Sequence, residues 1–235
     1  MLWIFDLDNT LHHASPGVFP HINRMMTDYI IRHLHVDEDA ANRLRQHYWT
    51  RYGATLTGLV RHHGVDPRHF LRHTHPLEDL LPLVETDPQV ARTLARLPGR
   101  KVLLSNGPAH YCAAVLTRLG IDRHFSAQFG LEHIRFAPKP SPHGFRTVLS
   151  RLRARPGQSW MIEDSADNLK TAGRLVAEAV AQGATLVALP EYFPIIGASD
   201  ADKVAAREKD TEQGGGGPIQ DFLAETAARH GIWLI

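Results

Sequence analysis

The chain has 235 residues, ordinary apolar content and a formal net charge of +1 with neutral histidines, so it can bury a full core as one domain with a large insertion or as two domains. The small net charge excludes the long-range basic field that binding of a nucleic-acid polymer requires, and no apolar run approaches the length of a membrane span. A single cysteine, Cys112, excludes an internal disulfide and, with a first strand that leaves no room for a signal peptide, favours the cytoplasm.

The first predicted element is a short strand that ends in two carboxylates. Residues 2–5 are leucine, aromatic or β-branched, as expected for a strand buried on both faces, and polarity then changes abruptly at Asp6 and Asp8. Ligands of open α/β sheets bind outside the carboxyl ends of the strands, so both carboxylates would face a crevice. Such close carboxylates repel each other unless a cation lies between them, and Mg²⁺ is the natural candidate because it binds carboxylates, water and substrate phosphate.

Two other interpretations apply to this motif. A calcium-binding loop would need glycine at its sixth position and glutamate at its twelfth, where the chain has Leu11 and Gly17, so that interpretation fails. A strand-to-turn junction, in which Asp and Asn side chains bond only the backbone, stays open from this motif alone.

Residues 14–85 are predicted to form an all-helical insertion that could cover the crevice as a lid. Apolar residues recur at three- and four-residue spacing from Ile22 to His33, and an acidic turn at Asp37 opens a second helix. Shorter helices are predicted around residues 56–63 and 67–73.

Strands and helices alternate after the insertion. Strands are predicted at residues 101–104, near 128–129 and at 159–162, and helices at 90–97, 110–119 and 142–152. This alternation predicts an α/β fold with a parallel, Rossmann-like sheet and right-handed crossovers. We expect residues 1–13 and 86–190 to form this core, with residues 191–235 as an atypical C-terminal segment.

Two polar clusters after the insertion suit a phosphate group. Ser105 and the backbone N–H groups of the turn at Asn106 and Gly107 precede a helix, an arrangement that binds anions, although Ser105 could equally be a helix N-cap. Lys139 lies between two prolines that stiffen its loop, and it can bring a positive charge to the same phosphate, although a solvated loop lysine is the commoner case.

A further acidic pair follows the strand at residues 159–162. Asp164 would complete a three-carboxylate pocket for Mg²⁺ with Asp6 and Asp8, and Glu163 would be a ligand through water. Asp164 could instead cap a following helix. The prediction of a phosphate site with its metal therefore depends on the joint occurrence of all four clusters.

The four clusters resemble the four motifs of the haloacid dehalogenase superfamily of phosphatases, over residues 1 to about 172, and the helical insertion resembles its cap. The motifs are Asp6-Leu7-Asp8-Asn9-Thr10, Ser105-Asn106-Gly107, Lys139-Pro140 and Glu163-Asp164-Ser165. Residues 52–59, 105–108 and 163–169 resemble, more narrowly, its pyrimidine 5′-nucleotidase branch.

This resemblance implies a mechanism and a substrate class. Asp6 would form an aspartyl-phosphate, Asp8 would act as general acid and then base, and Asp6, the Asp8 backbone carbonyl and Asp164 would hold Mg²⁺. The superfamily's dehalogenases lack the second Asp as acid/base, so Asp8 argues against them. The expected partner is a small phosphomonoester, bound through its phosphate oxygens by Ser105, Asn106 and Lys139.

The leading expectation for the substrate is a pyrimidine nucleoside monophosphate. The alternatives are another small metabolite, such as a sugar phosphate or phosphoglycolate, and an impaired fusion that only binds. Tyr52, Thr55 and His110 are candidates for substrate recognition, but packing or capping would explain them equally well.

The end of the chain departs from the phosphatase pattern. Residues 173–235 resemble the amino-terminal fragment of a nitrilase-type carbon–nitrogen hydrolase, in which Glu191 would be the general base. No nucleophilic cysteine accompanies it in this fragment, so Glu191 is interpreted as a surface glutamate. A strand at residues 184–189 could take the place of the next strand of the phosphatase sheet, and we expect residues 199–217 to be a flexible linker.

Overall fold

The computed structural model describes residues 1–155 and 159–164 and, as backbone only, two short strands near the end of the chain. The predicted linker at 199–217, Glu191 and the predicted helix after Asp164 lie outside the described residues.

The core is a four-stranded parallel sheet with the strand order β3-β2-β1-β4, which confirms the predicted α/β fold. The strands are β1 (Leu2–Phe5), β2 (Arg100–Leu104), β3 (Ala127–Phe129) and β4 (Ser159–Ile162). Phe5 is aligned with Leu103 of β2 and with Ile162 of β4, so these strands end at the same edge of the sheet. The residues that follow them therefore meet there.

The insertion is helical throughout, as the sequence predicts. It contains α1 (Val18–Leu34), α2 (Glu38–Tyr52), α3 (Thr55–His63), α4 (Pro67–Thr74), α5 (Leu77–Leu80) and a 3-10 turn (Leu81–Leu83). The side chains of Asp37 and Asp66 accept backbone N–H groups at the starts of α2 and α4. Gly53 and Gly64 end α2 and α3 with φ values of 74° and 64°, in the left-handed region that favours glycine.

Three helices belong to the α/β part of the chain: α6 (Pro88–Arg96), α7 (Ala109–Arg118) and α8 (Pro142–Leu152). Side chains of β2 alternate between the two faces of the sheet, as strand geometry requires. Val102 and Leu104 join a cluster with the insertion and α8, whereas Leu103 joins a second cluster with α7. Both faces of the central strands are thus covered by apolar side chains.

The expected replacement strand does not join this sheet. β5 (Leu186–Val187) pairs in parallel with β6 (Trp233–Leu234) as a separate two-stranded sheet. Residues 186–187, the part of the expected strand that the structure describes, therefore do not take the place of the next strand, because their backbone groups pair with Trp233–Leu234 instead. Every helix among the described residues is too short or too polar to cross a bilayer.

Candidate active site

Asp6 lies at the centre of the site, directly after β1. Its backbone N–H donates to the carbonyl of Ile162 over 2.9 Å, which extends the β1–β4 pairing by one residue and fixes the side chain at the sheet edge. Its carboxylate is buried, with Oδ1 2.6 Å from Lys139 Nζ and Oδ2 3.5 Å from the Thr10 hydroxyl.

Lys139 is fully buried between two carboxylates, and its ammonium donates to both Asp6 and Glu163. Its backbone is held by the Asn106 side chain, which accepts from the Lys139 N–H over 2.7 Å and donates to the Lys139 carbonyl over 3.0 Å. Asn106 thus fixes the loop that carries the lysine. Phosphate binding by Asn106 and Lys139 stays a prediction.

The electrostatics of this cluster are dominated by burial and by carboxylate crowding. Burial and the neighbouring Glu163 raise the pKa of Asp6 to about 7, although Lys139 opposes the shift. Burial, followed by the charge of Asp6, also raises the pKa of Asp164. Burial alone would lower the pKa of Lys139, but Asp6 and Glu163 outweigh it and raise that pKa. The cluster therefore favours additional positive charge.

Asp6, Glu163 and Asp164 could together hold a metal ion. Each offers one carboxylate oxygen, and these oxygens lie within 4.8 Å of one another. Hard oxygen donors of this kind fit Mg²⁺. Burial, and after it the charge of neighbouring carboxylates, raises the pKa of Asp6 and of Asp164, and a bound cation would oppose both shifts. The predicted contribution of Asp8, through its backbone carbonyl, stays a prediction. The direct contact of Glu163 with Lys139 is one that the sequence did not predict.

Asp8 has a different environment from Asp6. Its Oδ1 accepts a hydrogen bond from the hydroxyl of Tyr111 over 2.6 Å and lies 3.0 Å from His12 Nε2. Asn9 adopts a left-handed backbone, with φ of 61°, and its side chain accepts the N–H of Ser15, so the loop turns back immediately after the acidic pair. Neither Tyr111 nor His12 was predicted as a site residue, although the four-residue spacing between Asp8 and His12 could have indicated a contact between them.

Ser105 follows β2 and is buried at the same edge of the sheet. Its backbone N–H donates to the carbonyl of Phe129, and its hydroxyl accepts the N–H of Gly107 over 2.9 Å. Helix α7 begins later, with Pro108 as its N-cap residue. The alternative of Ser105 as a helix N-cap was therefore wrong, and its predicted contact with phosphate stays a prediction.

The three candidates for substrate recognition separate into two groups. The Tyr52 hydroxyl forms a 2.7 Å hydrogen bond with His62, and the Thr55 hydroxyl donates to the carbonyl of Arg45. Both side chains therefore have hydrogen-bond partners inside the helical insertion. His110 instead lines a cavity between the insertion and α7.

Comparison with known proteins identifies the family. The model of the haloacid dehalogenase-like hydrolase family matches residues 1–175. The chain belongs to this family of hydrolases. The family assignment agrees with the parallel sheet, the helical insertion and the acidic residues at the strand ends.

Two curated relatives of this hydrolase are phosphatases or proteins of phosphate metabolism. It is 26% identical over 187 residues to "Phosphate metabolism protein 8" of Saccharomyces cerevisiae, covering 73% of this chain and 58% of the relative. It is 28% identical over 180 residues to a phosphoglycolate phosphatase of Pectobacterium atrosepticum, covering 72% of this chain and 74% of the relative. The chain thus spans little more than half the length of the Saccharomyces cerevisiae relative.

Solved structures agree with the family fold. The hydrolase is 19% identical to the HAD phosphatase of Thermococcus onnurineus, with a TM-score of 0.57 over 87% of this chain and 97% of that one. It is also 19% identical to CbbY of Rhodobacter sphaeroides, solved with phosphate, with a TM-score of 0.55 over 86% and 91% of the two chains. The carbon–nitrogen hydrolase model matches residues 152–235, a partial match that includes the segment for which the sequence shows this resemblance.

Proposed function

We propose that the chain is a magnesium-dependent phosphomonoester hydrolase that acts through an aspartyl-phosphate on Asp6. The observation that supports this most directly is the pair of carboxylates after β1 in two different environments. Asp6 is buried against Lys139, whereas Asp8 bonds Tyr111 and His12. Two carboxylates held apart in this way can carry two roles.

The first step transfers the phosphoryl group to the protein. A carboxylate oxygen of Asp6 attacks phosphorus, and the bond between phosphorus and the alcohol oxygen breaks. Asp8, in its protonated form, gives its proton to that departing oxygen, so the product leaves as a neutral alcohol. The bonds from Tyr111 and His12 support this role because they fix the carboxylate of Asp8.

The second step regenerates the enzyme. Asp8, now a carboxylate, removes a proton from a water molecule that attacks the phosphorus of the aspartyl-phosphate. The bond between phosphorus and the Asp6 oxygen breaks, which releases inorganic phosphate and restores the Asp6 carboxylate. Asp8 is then protonated again, by the proton taken from water, and is ready for the next turnover.

The remaining site residues bind and neutralise the phosphate. Lys139 has two hydrogen-bond partners among the described residues, so one of its three N–H donors is left for a phosphate oxygen. Ser105 and the N–H of Asn106 bind the other oxygens. Asp6, Asp164 and the backbone carbonyl of Asp8 would hold Mg²⁺, which would supply the charge neutralisation that a phosphate dianion needs among carboxylates.

The leading substrate is a pyrimidine nucleoside monophosphate, hydrolysed in the cytoplasm. The resemblance of residues 52–59, 105–108 and 163–169 to the pyrimidine 5′-nucleotidase branch supports this choice. Phosphoglycolate is the second candidate, because two relatives that each match 72% of the chain carry the name phosphoglycolate phosphatase.

Release of inorganic phosphate from a panel of nucleotides, sugar phosphates and phosphoglycolate tests the proposal. We expect wild type to turn over at least one class in the presence of Mg²⁺, and Asp6→Asn to lower kcat by at least about 1,000-fold because the nucleophile is lost. Asp39→Asn, at an exposed position in α2, is the matched control. Undiminished activity of Asp6→Asn would overturn the mechanism, and a wild type without activity would favour a fusion that only binds.

A further inference from the structure

A recess lies where the helical insertion meets the α/β part of the chain. Its volume is about 590 Å³, and it is bounded by α4 on one side and by the start of α7 and the 3-10 turn Leu131–Ile134 on the other. The polar side chains of its lining are Arg68, Arg72, His75, His110, Glu132 and His133.

The lining is rich in unpaired positive charge. Arg68 and Arg72 are four residues apart on α4, so their side chains project from the same face of the helix. Neither arginine forms an ion pair with any residue that the structure describes. The guanidinium of Arg68 lies 5.8 Å from the ring centroid of Phe136, a contact that leaves its N–H donors available.

The acidic residue of the lining, Glu132, forms no ion pair with either arginine among the described residues. Its Oε2 accepts the N–H of Ala109 over 2.8 Å, at the first residue of α7. His133 Nδ1 accepts the N–H of Gly130, so the proton of the neutral ring lies on Nε2 and is available to a ligand. The recess therefore offers hydrogen-bond donors and positive charge.

One wall of the recess is connected to the acidic pair. The ring of His75 lies 5.5 Å from that of Tyr111, measured between centroids, and Tyr111 donates its hydroxyl hydrogen to Asp8. His110 Nε2 donates to the carbonyl of His75 over 3.2 Å and ties the wall to α7. One lining residue of the recess, His75, is thus linked through Tyr111 to Asp8, the proposed acid for the departing alcohol.

We propose that this recess binds a second anionic group, a carboxylate or a phosphate, carried by the alcohol half of the substrate. Guanidinium groups bind both anions through paired N–H donors, so Arg68 and Arg72 would recognise this group directly. The inference rests on the proposed phosphatase function. Within that function it favours the second candidate, phosphoglycolate, and other phosphorylated acids or bisphosphates over a pyrimidine nucleoside monophosphate, because the nucleoside half carries no second anionic group.

Two matched substrate pairs separate the possible anions. The first is phosphoglycolate and its methyl ester, which differ only in the carboxylate charge. The second is 1,3-propanediol bisphosphate and 3-hydroxypropyl phosphate, which differ in the second phosphate. We expect wild type to prefer the charged member of at least one pair by about tenfold or more in kcat/KM, and that pair identifies the anion.

The arginine variants test where the preference arises. Arg72→Gln and the double variant Arg68→Gln/Arg72→Gln should reduce the ratio within the preferred pair towards one. Arg43→Gln, at an exposed arginine of α2 outside the recess, should keep the wild-type ratio. A ratio near one for both pairs in wild type, or a wild-type ratio in the double variant, would overturn the proposal.

A binding measurement separates failure of this inference from failure of the proposed function. The rise in Tm caused by phosphoglycolate and by its methyl ester is measured on Asp6→Asn, with and without the arginine substitutions. A larger rise for the acid that disappears with the arginines supports the recess even if catalysis by Asp6 is disproved. Equal rises for acid and ester contradict the recess and leave the phosphatase intact.

Discussion

Tyr111 donates its hydroxyl hydrogen to Asp8 Oδ1 over 2.6 Å and so joins helix α7 to the loop after β1. Tyr111 is completely buried, and burial followed by the charge of Asp8 raises the pKa of its hydroxyl. The tyrosine therefore stays protonated and remains a donor. The bond holds the proposed acid/base in place while Lys139 holds the proposed nucleophile.

Replacement of Tyr111 by phenylalanine is expected to lower kcat by about 10- to 100-fold, since a hydrogen bond to a charged group contributes about 1.5–3 kcal/mol. Phenylalanine keeps the ring in the core, so the loss should reside in positioning of Asp8. The measurement is kcat for the best substrate, with the pH profile of kcat as a second readout that packing alone would not change.

The matched control is Tyr48→Phe, which removes a 2.7 Å bond between the tyrosine hydroxyl and His63 inside the helical insertion. It should cost stability without changing kcat. Equal kcat values for wild type and Tyr111→Phe would show that His12 alone positions Asp8.

Lys139→Met is expected to lower the free energy of unfolding by about 3–5 kcal/mol, because it leaves the buried carboxylates of Asp6 and Glu163 without their cation. Adding Glu163→Gln should restore part of the loss, since one uncompensated charge disappears. Both values come from urea denaturation in the presence of a chelator, so that no metal ion substitutes for the ammonium.

Lys101→Met tests whether loss of any buried lysine would have this effect. Lys101 is also buried, but among the residues that the structure describes its ammonium donates only to the backbone carbonyls of Leu97 and Gly99. We expect a smaller loss there. Similar losses for the two variants would contradict the idea that the carboxylate pair dominates.

Much of the fold and the central residues of the site follow from local sequence patterns. The apolar runs that become β1, β2 and β4 each stop at a polar residue, and parallel strands end at a shared edge. These two observations are enough to predict that Asp6, Ser105 and Glu163 lie at one edge of the sheet. The starts of the helices near Asp37 and Pro67 also follow from local sequence, because an acidic first turn and an N-terminal proline act within a few residues.

The contacts that the sequence did not reveal depend on tertiary packing. Tyr111 has the pattern of a core residue on α7, and its hydroxyl meets Asp8 across 103 positions of sequence. The side-chain amide of Asn106 bonds the backbone of Lys139, and only the fold brings these two segments together. The pairing of β5 with β6 likewise depends on which strand edge is nearest, which periodicity does not specify.

His75 is expected to make the protein sensitive to acid. Burial, which outweighs the charge of Asp8, lowers its pKa from about 6.5 to about 4. The unfolded chain therefore binds this proton first as the pH falls. The stability linked to neutral His75 is present above about pH 6.5 and is lost towards pH 4, by about 3 kcal/mol in total.

The check is the free energy of unfolding as a function of pH for His75→Asn, whose amide can still donate to the carbonyl of Leu71 as His75 Nδ1 does. This variant should lose less stability between pH 6.5 and 4 than wild type does. His47→Asn, at an exposed position in α2, should keep the wild-type slope. A wild-type slope in His75→Asn would place the acid sensitivity elsewhere.

Mg²⁺ is expected to raise the Tm of wild type, and Asp164→Asn to remove most of that rise. Ligands that bind only the folded state stabilise it by mass action, by about 2.7 kcal/mol at 100 times the dissociation constant. Asp164 supplies one of three carboxylate oxygens within 4.8 Å, so an amide there weakens the site without changing its shape.

The exposed Asp122→Asn substitution is the control for a general loss of negative charge. If Asp164→Asn keeps the full Mg²⁺-dependent rise while Asp6→Asn loses it, the ion is held by Asp6 and Glu163 instead, and the proposed ligand set is wrong.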